Sequence, residues 1–381
     1  MGMEGCFVKG STKKLLGLTA SVAALTYVLR SGRRKTPMET QVLEPREPLP
    51  FLLDEGDFAN QMRTLALPYL EKRKETGYLP SGRARLYYER YQADNSRGRV
   101  VIVHGFTSGV HEFRELAYYF LKNGYSVDMM DHRGHGLSSR EVEDLSKVTV
   151  STFDVYVSDL KRFVETVVKP SLAPGEKLFI LGHSMGGGIT AMLLEQEQHL
   201  FDGAILVAPM VQLDFGKMPP QLAAMVVRLA HYAGAAQDYV SGYGAYDHVY
   251  DFQGSNYDSE PRYRYMYELL EAEPRYCTSG GTYAWLAAAM AASERIRKEA
   301  GRCVTPALLF QAEKDRMVSA RAHCEFAAEA ADVTIITVPG AKHNLPFASN
   351  RVLSPFLGRI LEFFQSLGES ADISGKNCGF S

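Results

Sequence analysis

Cysteine is scarce in this sequence: the chain has 381 residues and only five cysteines. The cysteines are widely separated and no two form a C-x-x-C pair, which argues against a disulfide framework and against a zinc site. We expect reduced thiols in a domain that faces the cytosol. The five positions are Cys6, Cys277, Cys303, Cys324 and Cys378.

An excess of charge of one sign is also lacking. The chain carries 42 basic and 44 acidic residues, which gives a formal net charge of -2. Because no basic field results, nucleic acid is not an expected partner. The sequence has no G-x-x-x-x-G-K-[ST] loop, so no nucleotide is implied, and we expect no cofactor. The composition, with 46% hydrophobic residues, is that of an ordinary globular protein.

One uncharged apolar run, from Leu15 to Leu29, stands between basic residues. At about 1.5 Å per residue, a helix of this length is shorter than the hydrocarbon core of roughly 30 Å. A retained anchor, an interfacial helix or disordered leader, and a cleaved signal peptide are the alternatives. The flanking charges favour a membrane-associated protein with its folded domain in the cytoplasm, and a soluble cytoplasmic protein is the second interpretation. No oligomeric state is predicted.

The order of patterns along the chain predicts its domain organisation. The stretch from Thr36 to Pro50 is rich in Pro and Glu and is interpreted as a linker. Beyond it, short β-rich runs alternate with amphipathic segments of helix length, which predicts an α/β protein with a mostly parallel central sheet and helices on both faces. The gap between the strands Gly203 to Val207 and Pro306 to Phe310 is too long for a structureless loop and predicts an inserted helical cap. The expected segments are an apolar leader and linker (1–50), the first part of the core (51–210), the cap insertion (211–304), the second part of the core (305–367) and a flexible tail (368–381).

Two features of this organisation can be predicted in more detail. Arg83 to Tyr91 and Arg99 to His104 flank a turn-like segment and are expected to pair as an antiparallel hairpin at the sheet edge. The first cap helix is expected to begin at Pro219 and Pro220. Its apolar residues at helical spacing are Leu222, Met225, Val226 and Leu229.

The strongest chemical motif is Gly182-His183-Ser184-Met185-Gly186, which follows a predicted strand and opens a predicted helix. A G-x-S-x-G sequence in this context is the nucleophile elbow of the α/β-hydrolase fold. The glycines are needed because the serine sits in a strained turn where side chains would collide. We therefore predict Ser184 as the nucleophile.

A serine hydroxyl needs a base, and in this fold the chain order is serine, acid, histidine. His343 follows the predicted strand Val333 to Val338 in a loop and is the expected base, whereas His323 falls in a predicted helix. Asp315 lies just past the strand that follows the cap and is the expected acid. Glu313 and Asp332 stay open as alternatives.

Main-chain donors are expected to complete the site. The loop after strand Val100 to Val103 is similar to an oxyanion loop, and the amides of Phe106 and Met185 are the predicted oxyanion hole. His132 and His135 are better explained by a tight glycine-rich turn than by a metal site, so no metal is predicted.

Together these motifs resemble the bacterial lysophospholipases and the related monoacylglycerol lipases. The likeness extends from about Phe58 to Phe364, and it includes two segments of the cap. It implies hydrolysis of the single acyl ester of a lipid that has a free hydroxyl, without metal or organic cofactor. The expected partner is thus a single-chain lipid ester, with a membrane surface or anchor through Leu15 to Leu29. The segments that carry the resemblance are His104 to Phe106, Asp131 to Gly136, Gly182 to Gly187, Pro261 to Tyr263, Gly281 to Trp285, Gln311 to Asp315 and Gly340 to His343.

Other functions on the same fold stay open. A proline iminopeptidase or a small-ester esterase would need only a different cap. A non-catalytic binding protein is the alternative from another class, and the complete set of serine, aspartate and histidine argues against it.

Overall fold

The computed structural model describes residues 40–376 of the chain, with side chains described up to residue 369. The apolar run from Leu15 to Leu29, and with it the predicted anchor, lies outside the described residues. Within residues 40–376, none of the helices combines the length and the apolar character needed to cross a membrane.

One sheet of nine strands forms the centre of the described chain. The described residues contain eleven strands in all, of which β6 and β9 form a separate pair outside this sheet. The eleven are β1 (Gln41–Val42), β2 (Lys74–Ser81), β3 (Ala84–Tyr91), β4 (Gly98–Val103), β5 (Tyr125–Met130), β6 (Lys147–Val148), β7 (Leu178–His183), β8 (Gly203–Val207), β9 (Gly280–Gly281), β10 (Ala307–Ala312) and β11 (Val333–Val338). The order in the sheet is β1-β11-β10-β8-β7-β4-β5-β3-β2, and only β3 runs antiparallel to its neighbours. The predicted fold class, a mostly parallel sheet surrounded by helices, is confirmed.

Ten α-helices accompany the sheet within residues 40–376. They are α1 (Phe58–Gln61), α2 (Leu67–Glu71), α3 (Arg114–Lys122), α4 (Asp154–Phe163), α5 (Met185–Gln196), α6 (Pro220–Tyr232), α7 (Glu260–Ala272), α8 (Tyr283–Glu299), α9 (Ala320–Glu329) and α10 (Asn350–Lys376). A π-helical turn at Met62–Ala66 joins α1 to α2, and another at Val164–Val168 extends α4. Aromatic packing fastens α10 to the sheet, where Phe364 stacks on Phe179 of β7 with ring centroids 4.2 Å apart.

The expected hairpin between Arg83 to Tyr91 and Arg99 to His104 is wrong. β3 forms its hairpin with β2 instead, and Gly82 makes the turn with a φ of 59°. β4 runs parallel between β5 and β7. The reason is burial: every residue of β4 is buried, as a strand covered on both faces must be, whereas β2 is largely exposed and suits an edge.

Both predicted ends of the core need correction. Gln41 and Val42, placed in the linker by their sequence, pair in parallel with Ile336 and Thr337 of β11. This short strand covers hydrogen-bonding groups that an edge strand would otherwise leave unpaired. At the other end, α10 continues to Lys376, so residues 368–376 are helical rather than part of a separate tail.

Three α-helices, α6, α7 and α8, lie in the predicted cap segment, residues 211–304. The short parallel pair β6 and β9 joins this segment to the loop after β5. α6 begins at Pro220 as expected, but its inward residues are Ala223 and Val227. The larger apolar residues on its other sides stay exposed, namely Leu222, Met225, Val226 and Leu229.

Candidate active site

Ser184 stands at the sharp turn between β7 and α5. Its backbone has a φ of 53°, a left-handed conformation that costs a residue other than glycine free energy. The turn is tight because a Cβ at Gly186 would overlap the carbonyl oxygens of Val103 and His104. Gly186, two residues after the serine, therefore allows the turn to pack closely against the end of β4.

His343 reaches Ser184 from the loop after β11. Its Nε2 lies 2.8 Å from the Oγ of Ser184, and its Nδ1 lies 2.7 Å from Oδ2 of Asp315. A proton on Nδ1 that is donated to Asp315 leaves Nε2 free to accept the serine proton. The structure thus brings together the three side chains that the chain order predicted.

Asp315 is held in place by the loop after β10. Its Oδ1 accepts hydrogen bonds from the backbone N–H groups of Met317, at 2.8 Å, and Val318, at 3.2 Å. Burial opposes its ionisation, but the hydrogen bond and charge of His343 and these two amides hold the pKa of the carboxyl below its usual value. The acid is therefore charged at neutral pH.

The alternative residues lie elsewhere. His323 is buried on α9, where its Nε2 is 2.8 Å from the carbonyl oxygen of Pro209. Glu313 accepts a hydrogen bond from the backbone N–H of Gly340. Asp332 is an exposed residue just before β11. None of the three contacts Ser184 or His343 through a hydrogen bond among the described residues.

The amides predicted for the oxyanion hole flank the serine. Met185 is the first residue of α5, so its N–H has no acceptor within the helix. Phe106 follows β4, and both residues line a cavity together with Ser184. This arrangement suits the negative charge that develops on a carbonyl oxygen when Ser184 Oγ bonds to the carbonyl carbon.

His104 supports this loop rather than acting as a base. Its Nδ1 is 2.8 Å from the carbonyl oxygen of Gly105, and its Nε2 accepts the backbone N–H of His132 at 2.9 Å. Burial, with the nearby His132, holds its pKa well below the usual value, so the ring is neutral. Among residues 40–376, no cluster of three or more His, Cys, Asp or Glu could hold a metal ion.

Asp131 fastens the glycine-rich turn to the oxyanion loop. Its two carboxyl oxygens accept the backbone N–H groups of Val110 and Leu137, at 2.7 and 2.8 Å. A side chain at Gly136, where φ is 49°, would overlap this carboxyl group. Burial raises the pKa of Asp131 to about 7. The turn is therefore a support for the site.

Two cavities meet at Ser184. The first, of about 320 Å³, is apolar, and we call it the acyl cavity. The second, of about 300 Å³, is more polar and includes His343, and we call it the alcohol cavity. Phe106 lines both. A larger cavity of about 510 Å³ between α6 and α8 contains none of the three triad residues.

The acyl cavity is enclosed by the core and the cap together. Ser184 and Met210 lie on its core side, and Val226, Trp285 and Leu286 on its cap side. Trp285 also packs against Phe106, with ring centroids 4.1 Å apart. The cavity offers an extended apolar surface that begins at the serine.

Comparison with known proteins agrees with this geometry. The family model described as Hydrolase_4, serine aminopeptidase S33, matches residues 94–350. The chain belongs to this family. The match includes Ser184, Asp315 and His343, and the family's name places the chain among the serine hydrolases.

Several proteins with similar sequences carry the names of lipid hydrolases. Lysophospholipase L2 of Escherichia coli K12 is 31% identical over 285 residues, which cover 73% of this chain and 83% of the relative. Monoglyceride lipase of Mus musculus is 26% identical over 262 residues, or 67% and 79% of the two chains. The fold is similar to that of a soluble variant of monoglyceride lipase from Saccharomyces cerevisiae, with a TM-score of 0.64, 21% identity and coverage of 77% and 95%.

Sequence reasoning did not find the side chains that shape the two cavities in this serine hydrolase. Tyr246, Tyr263 and Tyr267 line the alcohol cavity, and Trp285 lines the acyl cavity. Sequence reasoning also did not single out Glu112, which lines the alcohol cavity. No local pattern marks these residues, because their common feature is their position around Ser184.

Proposed function

We propose that the protein releases a fatty acid from a single-chain lipid, a lysophospholipid or a monoacylglycerol, through an acyl-enzyme on Ser184. The observation that carries this proposal is the position of Ser184 between an apolar and a polar cavity. An ester with its carbonyl carbon at Ser184 would place one acyl chain in the first cavity and its alcohol in the second.

The triad supplies the chemistry in two steps. Ser184 Oγ attacks the carbonyl carbon while His343 Nε2 takes the serine proton, and Asp315 stabilises the imidazolium that forms. The amides of Phe106 and Met185 bind the oxyanion. His343 then gives the proton to the leaving alcohol. In the second step water, deprotonated by His343, attacks the acyl-enzyme, and the fatty acid leaves as Ser184 regains its proton.

The named relatives support a lipid substrate over the peptidase alternative. The match to lysophospholipase L2 covers 73% of this chain, and the matches to two monoglyceride lipases cover 67% and 66%. All three names are those of lipid hydrolases. The acyl cavity points the same way, because its lining is dominated by apolar side chains. A proline iminopeptidase would instead need a site for a free amino group next to a short prolyl residue.

We further propose that the protein works at a lipid surface. The cap exposes large apolar side chains on and beside α6, of which Leu229 is 59% and Tyr232 80% exposed. Exposed apolar groups of this kind favour contact with a lipid surface. Val226 lines the acyl cavity from the same helix, so a lipid could pass from that surface toward Ser184. The apolar run Leu15 to Leu29 would add to the attachment.

The deciding experiment measures fatty-acid release by the full chain from a long-chain lysophospholipid and from a monoacylglycerol. Ser184→Ala should lose at least about a thousandfold in kcat. Ser151→Ala, which removes an exposed hydroxyl before α4, is the matched control and should keep its activity. Equal release by wild type and Ser184→Ala would overturn the proposed function.

A further inference from the structure

Glu112 places a carboxylate at the wall of the alcohol cavity, just before α3. The hydroxyl of Ser108 donates a hydrogen bond to Oε2, and the hydroxyl of Tyr257 donates one to Oε1 at 3.4 Å. Ser108 and Tyr257 line the same cavity. The carboxylate is thus held by neutral donors from the oxyanion loop and from the cap.

Glu112 is partly buried and, unlike the fully buried Glu89 and Glu115, it has no cationic partner among the described residues. Glu115 pairs with Arg262 at 2.6 Å, and Glu89 pairs with Arg114 at 2.6 Å. Within residues 40–376, no lysine or arginine forms an ion pair with Glu112. Burial accordingly raises the pKa of its carboxyl to about 7, and the two hydroxyl donors only partly oppose this. A negative charge here is costly without a cation, and a bound ligand can supply one.

The rest of the alcohol cavity is equally suited to a cation. Four tyrosine side chains line it, and none of its lining residues from the described part of the chain is a lysine or an arginine. A ring face attracts an ammonium group placed over it, most strongly where water is excluded. The four are Tyr246, Tyr257, Tyr263 and Tyr267.

The cap arginines that could have bound an anion are engaged elsewhere. Arg262 is buried with Glu115, Arg264 pairs with Glu260, and Arg275 pairs with Glu273. The Nζ of Lys342, beside the catalytic histidine, donates to the carbonyl oxygens of Ser255 and Tyr257. None of these four cationic side chains therefore neutralises Glu112, which leaves the carboxylate to a cation supplied by the ligand.

A second polar group at the cavity, the hydroxyl of Thr278, forms no hydrogen bond with the described residues. Thr278 is only 6% exposed, lines the alcohol cavity, and its Oγ1 has no hydrogen-bond partner in the structure. Buried hydroxyls are normally paired. Like Glu112, this group is available to an occupant of the cavity.

We propose that the alcohol cavity recognises an ester whose alcohol carries an ammonium group, with Glu112 as the specificity-determining residue. The inference rests on the proposed function, because it assigns the leaving alcohol to the cavity next to Ser184. The ammonium would lie against the carboxylate and the tyrosine rings. Choline-type alcohols have this chemistry.

The test compares two octanoate esters that differ in charge but hardly in shape. They are octanoylcholine and 3,3-dimethylbutyl octanoate, in which carbon replaces the quaternary nitrogen. For the wild-type chain we expect kcat/KM to be about tenfold higher for the choline ester. In Glu112→Gln the ratio of the two kcat/KM values should fall to near one. Glu260→Gln removes the same charge from an exposed cap position outside the cavity and should keep the wild-type ratio.

The outcomes separate this inference from the proposed function. Ser184-dependent hydrolysis of both esters with a ratio near one in the wild type would overturn the ammonium site and leave the hydrolase. A ratio that Glu112→Gln does not change would remove Glu112 from recognition. Hydrolysis of neither ester would overturn both proposals.

A measurement on the wild type alone guards against a variant that does not fold. Choline should inhibit hydrolysis of the neutral ester competitively, and 3,3-dimethyl-1-butanol, in which carbon replaces the quaternary nitrogen, should inhibit at least about tenfold more weakly. Equal inhibition by the two would contradict the proposed site.

Discussion

Arg262 of α7 donates a 2.6 Å hydrogen bond to Glu115 of α3, and this ion pair joins the cap segment to the core. Both side chains are buried, and Arg262 also donates to Oδ1 of Asn350 at 2.8 Å. Burial opposes the charge of Arg262, but the carboxylate of Glu115 outweighs it, so the pKa of the guanidinium is raised and it stays charged. The pair therefore helps to position α7 relative to Ser184. Tyr263 and Tyr267 of this helix line the alcohol cavity together with Ser184.

Breaking this pair from one side should be strongly destabilising. Arg262→Ala leaves the buried carboxylate of Glu115 without its cation, which typically costs about 3 to 5 kcal/mol of unfolding free energy. Denaturant unfolding of the wild type and the variant measures it. Arg264→Ala removes a cation from an exposed pair two residues further along the same helix, on nearly the opposite face, and should cost less than about 1 kcal/mol. Equal losses in the two variants would contradict a structural role for the buried pair.

Asp315 should act through His343 alone. Asp315→Asn keeps the size of the side chain but removes the charge that stabilises the imidazolium and sets its tautomer, so kcat should fall by about a thousandfold or more. Labelling of Ser184 by a fluorophosphonate should slow in parallel. Glu313→Gln is the control, since the Glu313 side chain accepts a hydrogen bond from the Gly340 amide and none from His343, and a comparable loss in that variant would contradict Asp315 as the acid.

The carboxyl of Glu112 should make stability depend on pH. In the folded protein its pKa is about 7, above its ordinary value of 4.5. The folded state therefore keeps a proton that the unfolded chain releases, so this contribution to stability is complete below pH 4.5 and is lost as the pH rises through 7. Glu112→Gln removes that loss. Its free energy of unfolding relative to wild type should rise by on the order of 1 to 3 kcal/mol between pH 5 and pH 8.

Urea unfolding of both proteins at the two pH values checks this. A difference between wild type and variant that stays constant with pH would show that Glu112 titrates normally. A carboxylate that binds a cationic ligand but has no cationic partner in the free protein should lower the stability of the free protein in this way.

The length of the acyl cavity should set chain-length preference. Val226 of α6 is 39% exposed and lines this cavity, so Val226→Trp can fill part of it without disturbing the core. We expect kcat/KM to fall at least about tenfold for a long acyl chain and to change little for a short one. Met225→Trp is the matched control, because the neighbouring Met225 is 51% exposed and does not line the cavity. A chain-length profile identical in both variants would place the acyl chain elsewhere.

Much of the fold follows from local pattern. The strands from Gly203 to Val207 and from Val333 to Val338 match β8 and β11 residue for residue, because β8 is a continuous buried run and every residue of β11 is β-branched. Pairing was harder to predict. β3 and β4 are adjacent in sequence with a turn between them, yet β4 joins the parallel interior and β3 turns back to β2, since long-range burial outweighs proximity along the chain.

The three central residues of the candidate site could also be predicted from local patterns. Ser184, Asp315 and His343 could be predicted because each follows a strand whose end lies at one edge of the sheet, and because the elbow needs glycine at fixed positions. Their motifs are contiguous in the chain. Their functional roles stay predictions, which the Ser184→Ala and Asp315→Asn experiments test.

Local sequence patterns were enough to predict a mostly parallel sheet, a nucleophile elbow and the order of serine, acid and histidine along the chain. The three-dimensional arrangement was needed to show that Gln41 and Val42 extend the sheet and that α6 leaves its large apolar residues exposed. It was also needed to show that Glu112, within residues 40–376, has no arginine partner like those of Glu115 and Glu89. The difference lies in the separation of the interacting residues along the chain. Backbone conformation and hydrophobic periodicity depend on neighbouring residues, whereas burial, charge pairing and cavities arise between side chains far apart in the chain.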